Sequence, residues 1–135
     1  MHTEGIIFTT LDPLGRKIKL KENTWTQHIK DRHPEVGYDI IKSNIEKPRF
    51  ILPNIKPKED GSNELIIDEK RQVYVDLIFV GDKMYAIKTV VEFENIESGT
   101  VVTNYILRKP NEIKMEGGVI YDSKQNQNTT GFINL

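Results

Sequence analysis

The 135-residue sequence contains no cysteine. That absence excludes disulfides, thiolate zinc sites and a cysteine nucleophile. Net charge is nearly absent as well: 19 Lys/Arg against 20 Asp/Glu leave −1 at pH 7. A polyanion is therefore not demanded by charge, although a local basic surface would permit one. Long apolar runs are missing, so no stretch suits a bilayer span. The N-terminus lacks a basic region followed by an apolar run, and a cytoplasmic location is the default expectation. No P-loop, dinucleotide glycine fingerprint or serine-hydrolase elbow is present. Histidine is scarce, with three in the chain, and there is one tryptophan.

The length suits one domain with a single core, and 37 % hydrophobic with 29 % charged residues is a soluble globular balance. No repeat or linker divides the chain. The near-neutral total hides an asymmetry. Residues 1–58 carry 11 Lys/Arg and 7 Asp/Glu, whereas residues 59–135 carry 8 and 13. The basic part contains Thr24-Trp25-Thr26-Gln27-His28-Ile29-Lys30-Asp31-Arg32-His33-Pro34-Glu35, which gathers the Trp, two His and an Arg. Thr24 and Gln27 form a capping-box pattern, and Pro34 disfavours helix at His33, so the sequence predicts a helix over Trp25–His33. Helical spacing puts His28, Arg32, Trp25, Ile29 and His33 on one arc. A purely structural helix rarely turns Arg and His inward.

A small hairpin over residues 8–20, with Asp12-Pro13 and Gly15 as the turn, precedes this helix. A second helix from about Tyr38 to Glu46 follows, with Ile40, Ile41 and Ile45 as its stripe and Pro48 as its stop. Phe50-Ile51-Leu52 reads as a short strand and residues 53–63 as a loop. Leu65–Ile67, Val73–Val80, Met84–Phe93, Thr100–Leu107 and Val119–Tyr121 read as further strands, with a tight turn at Gly81-Asp82. The expected class is α+β: two N-terminal helices packed on one face of an antiparallel meander sheet. The domain spans residues 1–122, and 123–135 is a polar tail.

His28 and His33 are five residues apart and lack the zinc-protease spacing, so no metal site is expected. Acid–base chemistry suits them better. The helix C-terminus favours a protonated His33, and Arg32 favours a neutral His28. Lys88 projects from an otherwise apolar strand face with Met84, Ala86 and Val90, while Thr103 and Tyr105 share a face with Val101 and Leu107. Taken alone, Thr103 and Tyr105 are ordinary strand residues. Facing a His-bearing helix, such cations and hydroxyls would suit a phosphodiester.

His28-Ile29…Arg32-His33-Pro34-Glu35, the Ile-rich helix ending at Glu46-Lys47-Pro48, and Val101-Val102-Thr103-Asn104-Tyr105 together resemble phage-associated nuclease-fold domains. These belong to the barnase–EndoU–colicin–RelE-like class. The resemblance covers roughly Ile18 to Tyr121 and departs at Asn104, where a small apolar residue is expected. It implies a toxin or phage-associated effector that cleaves RNA without metal or cofactor, by attack of the ribose 2′-hydroxyl. It implies His28, His33, Lys88 and Tyr105 as catalytic residues, and Arg32 and Thr103 as substrate-binding residues. Which His is the base stays open. RNA and an antitoxin or immunity protein are the implied partners. The alternative is a non-catalytic module that binds RNA or protein through the same cleft.

Overall fold

The computed structural model describes residues 5–32, 37–109 and 117–124. Strand β1 (Ile6–Leu11) pairs antiparallel with β2 (Lys17–Lys21). A helical turn, α1 (Glu22–Thr24), leaves β2 directly and becomes a π-helical turn at Trp25–Ile29. Helix α2 (Tyr38–Glu46) follows, then β3 (Phe50–Pro57), β4 (Leu65–Val80), β5 (Lys83–Asn95), β6 (Ser98–Leu107) and the two-residue β7 (Tyr121–Asp122). All seven strands join one curled sheet in the order β1-β2-β6-β5-β4-β3-β7. Among the described residues no helix is long and apolar enough to cross a membrane.

The expected α+β class is corrected by this architecture, which is mostly β: 55 % strand against 17 % helix. Two short helices cover part of one face, in place of two N-terminal helices packed on a meander. The first departure is at the predicted Trp25–His33 helix. Thr24 is itself helical, with φ −61° and ψ −46°, and its side chain caps nothing. The capping box is therefore unused. The bond from Lys30 N to Trp25 O, 2.9 Å, skips one residue more than an α-helix would.

The strands are longer than their apolar runs. β3 continues through Pro53 because the register shifts between Pro53 and Asn54, a bulge that removes the need for a regular ladder at the proline. Beyond it, β3 and β4 form a paired arm whose Leu65 and Ile67 are exposed. The polar stretch Asp68–Gln72 belongs to the same strand as Val73–Val80, because backbone pairing does not need an apolar side chain. Of the expected Val119–Tyr121 strand, Tyr121 pairs, with Asp122, against Ile51 and Phe50. Of the predicted tail, 125–135 lies outside the described residues.

Strands β4, β5 and β6 pair antiparallel in sequence order. The N-terminal hairpin closes the curl from the other side through a short parallel ladder, Lys17–Lys19 of β2 against Ser98–Thr100 of β6. Inside the curl, Ile41 and Ile45 of α2 and Ile29 of the π turn pack on Ile18, Leu20, Ile51, Tyr74, Ile87, Val91 and Val101. This core is large enough to set the register, since a one-residue slip would turn every one of these side chains outward. A smaller cluster of Leu52, Val73, Val75 and Val90 lies on the outer face.

Candidate functional site

The ladder register sorts the outer face into rows across the strands. Val73, Val90 and Thr103 form one row, and Val75, Lys88 and Tyr105 the next. Leu77, Ala86 and Leu107 follow, and Phe79 with Met84 ends the series at the Gly81-Asp82 turn. Alternation puts these on the side away from α2. Lys88 and Tyr105 therefore do not sit beneath the helices, as a cleft between helix and sheet would require.

The helical segment nevertheless reaches them. It runs beside β6 beyond the point where β2 pairing ends, in contact with that strand. Ile29 is its buried anchor and Trp25 is half-buried against the core, with its ring edge-on to Tyr38 at 5.5 Å. His28 and Arg32 are both exposed. The sequence arc had all four on one side. The i→i+5 geometry breaks that alignment and turns His28 and Arg32 out. Arg32 then passes the edge of β6, and its guanidinium carbon lies 5.6 Å from the Tyr105 ring centre. Lys88 Nζ lies 5.8 Å from the same ring. Two cations from separate elements thus meet one exposed aromatic. Neither forms an ion pair among the described residues. No family model, curated protein or solved structure matches this chain.

Of the residues singled out in the sequence, Arg32, Lys88 and Tyr105 come together. His28 sits one turn before Arg32, and its ring has no hydrogen-bond or ion-pair partner among the described residues. Thr103 shares the Tyr105 face, but its Oγ1 is shielded from solvent and has no hydrogen-bond partner. It lies in the neighbouring row of that face and presents no hydroxyl to a ligand. His33 lies outside the described residues.

A second polar assembly, inside the curl, was not evident in the sequence. Asp12 is 5 % exposed. Its Oδ1 accepts from the backbone N–H groups of Leu14 and Arg16, and its Oδ2 from Arg16 Nε at 2.8 Å and Tyr74 OH at 2.5 Å. Arg16 stacks over Phe93 at 4.3 Å. Burial, and then the bond to Asp12, hold the Tyr74 phenol well above its usual pKa. Nearby, Asn44 Nδ2 donates to the Tyr74 carbonyl and to Thr89 Oγ1, each at 2.9 Å, and Thr89 Oγ1 donates to Asn104 Oδ1 at 2.6 Å. This explains the polar Asn104: it terminates a buried hydrogen-bond chain under α2. Both groups are closed off, and the Asp12 group is satisfied internally, which is structural; in the second group Asn44 Oδ1 is buried without a hydrogen-bond partner among the described residues. The available signal was Asp12-Pro13-Leu14-Gly15, an Asx-turn pattern, with Tyr74 and Thr89 on otherwise apolar strand faces.

Proposed function

We propose that this protein is a metal-independent endoribonuclease that holds RNA on the outer face of its sheet. The observation that carries the reading is the convergence of Arg32 and Lys88 on the exposed ring of Tyr105. A base stacks on an aromatic face whatever its identity, and flanking cations hold the backbone phosphate. The likeness of the His-Ile…Arg-His-Pro-Glu segment to nuclease-fold domains supports the same reading, as does the position of His28 one turn from Arg32.

In the proposed reaction, one of His28 and His33 takes the proton from the ribose 2′-hydroxyl. The 2′-oxygen attacks phosphorus, and the 5′-oxygen leaves with a proton from the other His or from Tyr105. Arg32 and Lys88 stabilise the charge gathered on the phosphorane. The products are a 2′,3′-cyclic phosphate and a free 5′-hydroxyl. Cellular RNA as substrate agrees with a cytoplasmic location.

The test is incubation with mixed RNA in EDTA, followed by analysis of fragment ends. Cyclic phosphate ends are expected, with kcat lowered about 10²–10³-fold in Lys88→Ala. Activity unchanged in that variant removes the site. A second reading, RNA binding without cleavage, is favoured by the His28 ring, which no partner among the described residues orients. Retained RNA affinity with no cyclic ends, in the wild type, would select it.

A further inference from the structure

We propose that Lys83, Tyr85 and Arg108 form a separate anion site, at the open end of the sheet's inner face, that takes the phosphoryl group of a phosphate monoester or of free phosphate. The inference is independent of the RNA reading, because Lys88 and Tyr105 lie on the opposite face of the sheet.

The ladder register places the three residues. Ile87 belongs to the core inside the curl, and alternation along β5 puts Tyr85 and Lys83 on the same face as Ile87. Tyr85 pairs with Ile78 of β4, and Lys83 with Val80. On the other side of β5, Ile106 stands opposite Ile87 and Leu107 opposite Ala86. Arg108 is the next residue, so it follows beside Tyr85 and on its face. The structure brings Lys83, Tyr85 and Arg108 together, with Met84, around one shallow pocket. Lys83 and Arg108 are exposed there, and Tyr85 is half-buried.

Charge decides what the pocket would hold. No carboxylate is among its described lining residues. Asp82 lies in the turn and forms no ion pair with Lys83 or Arg108. Asp76, further along the same face of β4, lines a different pocket with Lys47 and Arg49. The two cations and the Tyr85 hydroxyl therefore share a pocket in which no described side chain pairs with any of them. Like charges brought together repel, and a bound anion relieves that repulsion. A phosphate monoester carries about −1.5 to −2 charge at neutral pH and three acceptor oxygens. Two cations match that charge, the guanidinium offers a bidentate fork, and the phenol adds one more donor. A carboxylate or a phosphodiester brings a single charge and leaves one cation unanswered.

The experiment follows backbone amide shifts of the isotope-labelled full chain by NMR, with inorganic phosphate and uridine monophosphate as probes and acetate as the control. Both probes should move the amides of residues 83–85 and 108 at about pH 7.5, and acetate should not. Equal affinity for the two probes assigns the site to free phosphate, and tighter binding of the nucleotide assigns it to an ester. Arg108→Ala and Lys83→Ala should each weaken binding about tenfold, and Tyr85→Phe by less. Acidification to about pH 5 should weaken the nucleotide about tenfold, because the second ionisation of a monoester lies near 6. Protonation of Asp76 and Asp82 over the same range would act in the opposite direction, so the sign is diagnostic. Lys88→Ala should leave these shifts unchanged. Lys83 and Arg108 are exposed and Tyr85→Phe keeps the ring, so the variants fold, and thermal unfolding checks it. Shifts that survive Lys83→Ala with Arg108→Ala, an equal response to acetate, or shifts lost in Lys88→Ala overturn the site. Absence of shifts with both probes at millimolar concentration overturns it as well, and leaves the RNA reading of the outer face standing.

Discussion

Tyr74 is fully buried, yet its hydroxyl makes two polar contacts, to Asp12 at 2.5 Å and from Arg16 Nη2 at 3.2 Å. Tyr74→Phe keeps the ring and removes one donor from a buried carboxylate. A hydrogen bond to a charged, desolvated group contributes about 1.5–3 kcal/mol, so a loss of that size is expected in urea unfolding. A variant as stable as the wild type would mean that the carboxylate finds another donor. Asp76 tests the opposite case. Burial raises its pKa, partly offset by the Leu77 N–H and by Arg49. A carboxyl raised in the folded state contributes stability below its unfolded pKa, about 4, and that contribution is lost as pH rises through the folded value. Asp76→Asn should therefore raise Tm at pH 7, and the gain should vanish near pH 3. A gain that persists at pH 3 would separate the effect from ionisation.

The elements show which signals in the chain carried information. The second helix was legible because Ile41 and Ile45 keep α-helical spacing and Pro48 follows. The β4–β5 turn was legible from Gly81, which has φ 66°. The Trp25 segment was read as helical, but its pitch was not, because no residue pattern announces an i→i+5 bond. The pitch mattered: it kept Ile29 in the core and released His28 and Arg32 to the surface. Strand extent failed for a similar reason. The Asp68–Gln72 stretch and Pro53 are unfavourable by propensity, and the partner strand decides their state. For the site, Lys88 and Tyr105 were recognisable as polar groups on a mostly apolar face. That this face is the outer one depends on which side α2 covers, a tertiary outcome. Trp25 links the two levels. It is half-buried and contacts Tyr38, so Trp25→Ala should cost roughly 2–3 kcal/mol, less than the 3–5 kcal/mol of a fully buried ring. It should also weaken RNA binding by loosening the turn before Arg32. Unchanged thermal stability would show that the π turn is held by Ile29 alone.

At the scale of the whole molecule, the curl closes through three residue pairs, with Ile18 opposite Gly99. A β-carbon at Gly99 would stand 2.7 Å from Val91 Cγ1 and 3.1 Å from the Glu92 carbonyl. Gly99→Ala should thus push β6 from β5 at the junction and destabilise by about 1–3 kcal/mol in urea unfolding. Unaltered stability would mean that the strands shift freely there. The paired residues of this junction stand about 80 positions apart in sequence, and bringing them together costs roughly 4 kcal/mol of chain entropy before any contact compensates. The cation on the N-terminal side, Arg32, and the ring it meets, Tyr105, lie on opposite sides of the same gap. Synthesis runs from the N-terminus, so a ribosome releases Arg32 and His28 long before it has made Tyr105. The proposed RNA surface is therefore incomplete in a partly made chain, while the ribosome's own RNA is the nearest strand to that chain throughout. On that proposal, the surface is assembled only with the last long strand.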